Sequence, residues 1–159
     1  MSTLNIGNAA PDFTLPTDGG GAVTLSDLKG QKVVLYFYPK DDTPGCTKQA
    51  CGFNEALPAL NTIGATVIGI SKDSVAKHDK FKTKYNLNFT LASDENSDIC
   101  ERYGVWKEKS MYGKTFMGIE RTTFLIDENG DIAQIWPKVK VDGHVDAVKA
   151  EIENIAKAA

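Results

Sequence analysis

A continuous apolar run early in the chain constrains the fold more than any other feature. Residues 32–38, Lys-Val-Val-Leu-Tyr-Phe-Tyr, lie between Gly30 and Pro39 and are rich in valine and aromatic side chains. A run without polar alternation is typical of a central strand that is buried on both faces. The rest of the chain must therefore provide elements that cover both faces of a sheet.

Strand and helix patterns alternate after this run, and together they predict an α/β fold with a mixed central sheet and helices on both faces. An N-terminal β-hairpin around Gly19–Gly21 precedes it, and Pro58 is expected to kink or end the first helix. The predicted strands are 65–71, 89–92, 122–126 and 131–136, and the predicted helices are 44–61, 74–85, 97–103 and 145–158.

Length and charge exclude several classes of protein. The chain has 159 residues, which predicts one domain over 1–159, and its net charge of −3 lacks the basic excess of nucleic-acid binders. Its longest apolar run is far shorter than the about 20 residues of a membrane span. Residues 1–13 show no secretory signal pattern. We therefore expect a cytoplasmic protein without nucleic-acid or membrane partners.

The three cysteines are Cys46, Cys51 and Cys100. An odd, low number predicts no structural disulfide framework, and two close cysteines in a reducing compartment indicate redox or metal chemistry. The C-x4-C spacing has no second close pair, so zinc is the weaker interpretation. Cys100 lies beside Ile99 and is predicted to be a buried, inert thiol. It remains an alternative redox partner for Cys46 if Cys51 cannot be reached.

Cys46 lies where a thiol is activated. Thr43 and Pro44 form a typical helix start, which places Cys46 in the first helical turn, just after a buried strand that ends at Pro39. The first helical N–H groups have no acceptor within the helix, and the helix dipole favours an anion there. The position therefore stabilises a thiolate, and it lies at the strand end where open α/β sheets place their sites.

The spacing of Cys46 and Cys51 leaves their pairing open. On an ideal helix the two Cα atoms would lie roughly 8–9 Å apart, whereas a disulfide needs less than about 7 Å. Either the two thiols never join, or the helix start unwinds. Gly45 and Gly52 favour unwinding, since each weakens a helix by about 1 kcal/mol relative to alanine. By spacing alone, Cys51 could equally be a core residue.

The segment around Cys46 resembles the active-site motif of the peroxiredoxins, Pro-x-x-x-Thr-x-x-Cys, with Pro39, Thr43 and Cys46 in the motif positions. The run 43–47 followed by Cys51 resembles the bacterioferritin-comigratory-protein branch, also called peroxiredoxin Q. Segments 10–15 and 121–127 are also similar to that family, so the resemblance covers essentially the whole chain. Gln49 departs from the glutamate of many peroxiredoxins outside this branch.

The resemblance implies a thioredoxin-like fold and a thiol peroxidase without cofactor or metal. Cys46 would attack hydrogen peroxide or an organic hydroperoxide and become a sulfenic acid. Thr43 would hydrogen-bond the thiolate and the peroxide, Arg121 would hold the thiolate and polarise the peroxide, and Pro39 would shield the sulfur from water. Cys51 would then form an intramolecular disulfide, which thioredoxin or a similar dithiol would reduce.

Other interpretations use the same residues. A redox-sensing binding protein or holdase would employ the same Cys46–Cys51 switch, and a metal-binding module would use the cysteines as ligands. Arg121, without the resemblance, is typical of a solvated charge at a strand end. The sequence fits a monomer or a weak dimer.

Two further segments carry expectations. Residues 106–117 interleave lysines with aromatic residues and are expected to form a lysine-fringed loop near the active site. His78 and His144 stand among polar neighbours and are expected at the surface.

Overall fold

The computed structural model describes the backbone of residues 4–158 and the side chains of residues 4–155. Within this range the strands are β1 Thr14–Pro16, β2 Ala22–Thr24, β3 Lys32–Phe37, β4 Ala65–Ser71, β5 Thr90–Ser93, β6 Trp106–Met111, β7 Lys114–Ile119, β8 Thr122–Ile126 and β9 Ile132–Trp136. The helices are α1 Pro44–Thr62, α2 Val75–Tyr85, α3 Ile99–Arg102 and α4 His144–Ala158.

The central sheet has the strand order β5-β4-β3-β8-β9. β3 is parallel to β4 and antiparallel to β8, so the sheet is mixed, as the sequence predicts. Every residue of β3 is buried, which confirms the prediction of a central strand. The N-terminal hairpin of β1 and β2 is also present.

The two faces of the sheet carry different cores, because successive side chains of a strand point to opposite faces. Val33, Leu35 and Phe37 face a core that includes residues of the N-terminal hairpin and α3. Val34 and Tyr36 face a second core, to which α1, α2 and α4 contribute. Helices therefore cover both faces as predicted, with the three longer ones on the second face.

Helix α1 continues past Pro58, which the sequence suggested would kink or end it. Pro58 is exposed, while its neighbours Leu57 and Leu60 are buried in the second core. The packing of these side chains holds the helix on the sheet through the position where proline removes one hydrogen bond.

The expectation of a loop at 106–117 is wrong. β6 and β7 form a hairpin that turns at Tyr112 and Gly113, both with positive φ (53° and 77°), as tight hairpin turns require. Most of its side chains are exposed, including Met111 and Phe116. The hairpin therefore lacks the apolar and polar alternation by which a half-buried strand is recognised.

No helix within residues 4–158 combines the length and the apolar character that crossing a bilayer would require.

Candidate active site

The start of α1 forms the framework of the site. β3 ends at Phe37, and α1 begins at Pro44. Thr43 is the N-cap residue with an extended backbone, and its carbonyl oxygen accepts from the Thr47 N–H at 2.8 Å. The helix start predicted from Thr43 and Pro44 is therefore confirmed. The Thr43 hydroxyl, however, donates to the Lys40 carbonyl at 2.8 Å and makes no capping bond to the helix.

Cys46 is the third residue of α1 and is 2% exposed. It belongs to the second core, together with Ala50 and Phe53 of its own helix and Tyr36 of β3. The sulfur is thus at the N-terminal end of a long helix, where the dipole favours negative charge. The surrounding apolar side chains keep water from the sulfur and strengthen electrostatic interactions with it.

The register of the sheet brings Arg121 to the same place. Phe37 pairs with Thr122 in the antiparallel ladder of β3 and β8. Arg121, which precedes Thr122, therefore lies at the level where β3 ends and the loop to α1 begins. Its backbone is fixed there, because its carbonyl oxygen accepts from the Val139 N–H at 2.9 Å.

The Arg121 guanidinium makes two contacts. Nη2 donates to the Cys46 sulfur at 3.3 Å, and Nη1 donates to Gln49 Oε1 at 2.6 Å. A Cβ atom at Gly45 would lie 3.2 Å from Nη2, so glycine leaves room for the guanidinium. The guanidinium is therefore held by Gln49 at Nη1, and its Nη2 lies at the Cys46 sulfur.

Gln49 is fully buried, and its role was not anticipated beyond its departure from glutamate. Its amide oxygen orients Arg121 without neutralising the positive charge, which a carboxylate would do. Among the described residues, Gln49 Nε2 and Tyr36 Oη are buried without a hydrogen-bond partner. The hydrogen bond to Arg121 is thus kept despite the departure, and the guanidinium charge remains available to the sulfur.

Pro39 and Cys51 complete the set of residues singled out from the sequence. Pro39 is exposed, directly after the buried Tyr38. Cys51 is half-buried in the same continuous helix as Cys46 and lines a groove between α1 and the start of α4. Burial, and secondarily Glu55, raises the pKa of the Cys51 thiol. All three cysteines are free thiols.

Cys100 is fully buried, as predicted, but in the first core, on the opposite face of the sheet from Cys46. Its backbone N–H donates to the Asp94 carboxylate at 2.8 Å. Burial, and secondarily Asp94, raises the pKa of the Cys100 thiol far above its usual range. The structure therefore does not bring Cys100 into the site.

The expectation that both histidines lie at the surface is wrong. His144 is 6% exposed, contacts the edges of Phe53 and Trp136, and is hydrogen-bonded through Nε2 to Thr123 Oγ1 at 2.8 Å. Burial, and secondarily Arg121, lowers the pKa of His144 to about 4. His144 therefore lies on the second face, close enough to the site to feel the guanidinium charge.

His78 is fully buried and contacts Asp41 in the loop between β3 and α1. Its polar neighbours in the sequence suggested exposure, but the turn of α2 brings His78 onto the side that buries Phe81. The three-residue spacing of His78 and Phe81 is the signal that could have shown this burial.

Comparison with known proteins identifies the family of this chain. The model of the AhpC/TSA family matches residues 6–135. The chain belongs to the AhpC/TSA family. It is 62% identical over 143 residues to a putative peroxiredoxin bcp of Coxiella burnetii, covering 90% of this chain and 95% of the relative. It is 51% identical over 143 residues to peroxiredoxin Bcp of Bacillus subtilis, covering 90% and 91%.

Solved structures give the same result. A crystal structure of a cysteine-to-serine variant of PrxQ from Xylella fastidiosa has a TM-score of 0.93 at 42% identity and covers 98% of this chain and 99% of the other. A bacterioferritin comigratory protein of Xanthomonas campestris, studied for alkyl peroxide reduction, has a TM-score of 0.89 at 44% identity, with coverage of 98% and 99%. The protein is a peroxiredoxin of the Bcp/PrxQ branch with a thioredoxin-like fold, and an enzyme of the thiol peroxidase class.

Proposed function

We propose that this peroxiredoxin reduces hydrogen peroxide and organic hydroperoxides with Cys46 as its peroxidatic nucleophile. The observation that carries the proposal is the hydrogen bond from Arg121 Nη2 to the Cys46 sulfur, at a helix N-terminus and with Gln49 holding the guanidinium. The helix dipole and the guanidinium both favour the thiolate, which is the reactive form of a thiol.

In the first step, the Cys46 thiolate attacks one oxygen of the peroxide bond. The O–O bond breaks, the new S–O bond forms, and the departing oxygen takes up a proton to leave as water or an alcohol. Cys46 becomes a sulfenic acid. Nη2 already donates to the sulfur, and a further N–H of the planar guanidinium can donate to a peroxide oxygen, so Arg121 can hold the thiolate and polarise the peroxide.

We assign Thr43 and Pro39 to the entrance of the site. The Thr43 hydroxyl donates its proton to the Lys40 carbonyl, which leaves its oxygen free to accept a hydrogen bond from a hydroperoxide O–H. To donate to the thiolate, as the family resemblance implies, this hydroxyl would have to turn away from Lys40. Pro39 is the side chain that shields the sulfur on the solvent side in this proposal.

We assign the second step to Cys51. Its thiol condenses with the Cys46 sulfenic acid, which forms a disulfide and releases water. Both residues lie in one regular helix, where five positions place Cα atoms roughly 8–9 Å apart, beyond the reach of a disulfide. The start of α1 must therefore unwind for this step. In the intact helix, the raised pKa of Cys51 keeps its thiol protonated and Cys46 reacts first.

The cycle closes when a dithiol reductant, thioredoxin or a similar protein, reduces the disulfide by thiol exchange. The half-buried position of Cys51 in the groove between α1 and α4 supports an approach from that side. A reducing compartment such as the cytoplasm would supply this reductant. No cofactor takes part in these steps, because the two cysteines carry both electrons.

The test separates the two cysteines. Cys46→Ser should abolish peroxide-driven oxidation, whereas Cys51→Ser should still form a sulfenic acid that dimedone traps. Mass mapping after one equivalent of peroxide should find a Cys46–Cys51 disulfide in the unmodified protein. Full single-turnover activity in Cys46→Ser would overturn the assignment of the nucleophile, and a disulfide from Cys46 to Cys100 would overturn the resolving step.

Repeated turnover separates an enzymatic cycle from a sensor. With thioredoxin and its reductase present, the protein should consume many equivalents of peroxide. Consumption of a single equivalent would indicate a redox-regulated binding protein instead.

A further inference from the structure

The loop between β3 and α1 is fastened to α2 by a buried network that the peroxidase chemistry does not use. His78 is fully buried, and the Asp41 side chain is 5% exposed. His78 Nδ1 lies 2.6 Å from Asp41 Oδ2, and His78 Nε2 lies 3.0 Å from the Ala92 carbonyl oxygen. The network therefore joins the loop that leads to Cys46 with α2 and β5.

The chemistry of these partners fixes the protons. A carbonyl oxygen can only accept, so His78 Nε2 must carry a proton. The short contact between Nδ1 and Asp41 Oδ2 requires a second proton between them, which makes it a charge-assisted hydrogen bond. The two side chains are therefore joined by a charge-assisted hydrogen bond in the protein interior.

Asp41 has two more hydrogen bonds. Oδ1 accepts from the Tyr38 hydroxyl at 2.5 Å, and the Asp41 N–H donates to Asp73 at 2.8 Å. Burial holds the pKa of Tyr38 well above its usual value, so the hydroxyl keeps the proton that it donates. Tyr38 belongs to the same core as Cys46, so the network lies directly against the packing of the site.

Asp42 adds a second fastening to α2. Its carboxylate accepts from Lys84 Nζ at 2.8 Å and from the Tyr85 hydroxyl at 2.7 Å. Asp42 has a left-handed backbone (φ 58°), which few residues adopt without support from their surroundings. The two hydrogen-bonded carboxylates, one buried and one exposed, hold the loop on α2 just before the N-cap residue Thr43.

We propose that the Asp41–His78 pair is a positioning element that holds the start of α1 in its helical form and so sets the balance between the two chemical steps. The proposal rests on the proposed function of Cys46 and Cys51. Cys46 meets Arg121 only while the first turn of α1 is formed, whereas the disulfide requires that turn to open. An element that fastens the chain immediately before this turn favours the first step and slows the second.

The same balance controls overoxidation. A sulfenic acid that waits in the folded site can meet a second peroxide molecule, which converts it to sulfinic acid and is itself reduced to water or alcohol. A tighter fastening lengthens this waiting time. Loosening the Asp41–His78 pair should therefore protect the enzyme from overoxidation while it slows the reaction with peroxide.

The experiment uses Asp41→Asn, which keeps the shape of the side chain, and His78→Phe, which fills the ring volume without nitrogens. We expect disulfide formation from the sulfenic acid to accelerate about tenfold, which corresponds to about 1.4 kcal/mol. Sulfinic acid formed at a fixed peroxide concentration should fall by a similar factor. The peroxide step, measured in single turnover, should slow by roughly threefold, because part of the population has lost the Arg121 contact.

Asp18→Asn is the matched control. Asp18 is another carboxylate that binds α2, through Lys82 at 2.6 Å, and it also accepts from the Leu91 N–H, but it does not contact the loop. The control should lower the thermal unfolding midpoint without changing the ratio of the two chemical rates. A milder variant, Lys84→Met, removes the bond to Asp42 at the surface and should shift the ratio in the same direction as Asp41→Asn.

The outcomes are distinct. Opposite changes in the two rates in Asp41→Asn, absent in Asp18→Asn, support the proposal. If the ratio of the two chemical rates is the same in all variants, the proposal is wrong. It is also wrong if Asp18→Asn shifts this ratio as Asp41→Asn does. Both results leave the assignments of Cys46 and Cys51 intact. An unmodified protein that forms no Cys46–Cys51 disulfide would instead contradict the proposed function itself.

Discussion

Cys46 and Cys100 offer a comparison of two buried thiols in one chain. Both are almost inaccessible to water, and both lie near the N-terminus of a helix, Cys46 in α1 and Cys100 in α3. They lie in the two different cores, on opposite faces of the sheet. Burial and helix position are therefore shared, and neither can explain why only one of the two thiols is suited to react.

The difference lies in the group that occupies each helix start. At α3 the Asp94 carboxylate accepts from the N–H groups of Ile99 and Cys100 at 3.1 Å and 2.8 Å. The anion that the helix favours is thus already present, and a second one at Cys100 would be repelled. At α1 the Thr43 side chain does not cap the helix, and the charge beside Cys46 is the Arg121 guanidinium.

A helix N-terminus can therefore stabilise a thiolate only where no other anion already occupies it. The sign of the nearest charge differs between the two thiols, since a neighbouring carboxylate disfavours a thiolate and a neighbouring guanidinium favours one. At Cys100 the carboxylate adds to desolvation and raises the pKa further. At Cys46 the guanidinium opposes desolvation.

The largest expected contrast is in alkylation. Iodoacetamide at neutral pH should modify Cys46 readily in the reduced protein, and Cys100 only through unfolding. Because global opening costs several kcal/mol, the protection of Cys100 should reach about 10^3-fold or more relative to denatured protein. Peptide mass spectrometry over a time course measures both sites in one sample. Equal modification rates for the two cysteines would contradict the distinction drawn from their charges.

Replacing Arg121 should reduce the difference between the two thiols. Arg121→Met removes the donor to Cys46 and should slow the peroxide step by about 10^2-fold. Arg121→Lys keeps the charge but loses the planar fork, so the loss should be smaller, about tenfold. Stopped-flow fluorescence or competition with a second peroxidase gives the rate.

Lys109→Met is the control for Arg121. Lys109 is near enough to Arg121 that burial, and secondarily the Arg121 charge, lowers its pKa, but it makes no hydrogen bond to the Cys46 sulfur among the described contacts. Its removal should change the peroxide rate by less than about twofold. A loss as large as that of Arg121→Lys would mean that the general positive field, and not the fork, is what acts on Cys46.

The sequence predicted those features of the Cys46 site that depend on neighbouring residues in the chain. The residues Thr43 and Pro44 defined the helix start, and the motif placed Cys46 in its first turn. Arg121 and Gln49 are 72 positions apart in the chain, and their pairing depends on the register of β3 and β8, which no local pattern encodes. The buried places of His78 and His144 likewise follow from how helices pack on the sheet. The family resemblance supplied Arg121, but its geometry came from the fold.

Gln49→Glu should make the electrostatic surroundings of Cys46 more similar to those of Cys100. The new carboxylate would pair with the guanidinium and reduce the charge that stabilises the thiolate, so the peroxide step should slow by roughly fivefold. The amide nitrogen that has no partner becomes a second carboxylate oxygen, so the gain from the ion pair with Arg121 is offset by the burial of a charge, and the stability of the folded protein should change little. Stopped-flow rates combined with chemical denaturation test both statements. A faster peroxide step would show that orientation of Arg121 outweighs its net charge.

His144 shows the opposite effect of the same guanidinium. Burial and the Arg121 charge disfavour the imidazolium, so the folded pKa of about 4 lies below the value of 6.5 expected in the unfolded chain. The unfolded state then binds more protons between these values, and stability should fall as pH drops from about 6.5 to about 4. His144→Gln should flatten this part of the stability profile, measured by urea unfolding at several pH values. An unchanged slope would exclude His144 as its source.

The smallest expected effect concerns the opening of α1. Gly52 makes the helix easier to unwind, but a Cβ there would lie 3.1 Å from Val145 Cγ2, so glycine also allows α4 to pack closely. Val145→Ala removes this conflict and provides the background in which helix propensity can be measured alone. Adding Gly52→Ala to it should stabilise the intact helix by up to about 1 kcal/mol and slow disulfide formation about threefold.

Hydrogen exchange measures directly whether the start of α1 opens when the protein is oxidised. Residues 46–53 should be protected in the reduced protein and exchange fast in the oxidised one, while β3 and the α3 residues around Cys100 stay unchanged. In the proposed cycle the start of α1 must open, whereas the buried Asp94 carboxylate accepts two backbone N–H groups and so holds the start of α3 in place. If oxidation leaves residues 46–53 fully protected, the helix does not open and Cys51 cannot be the resolving partner.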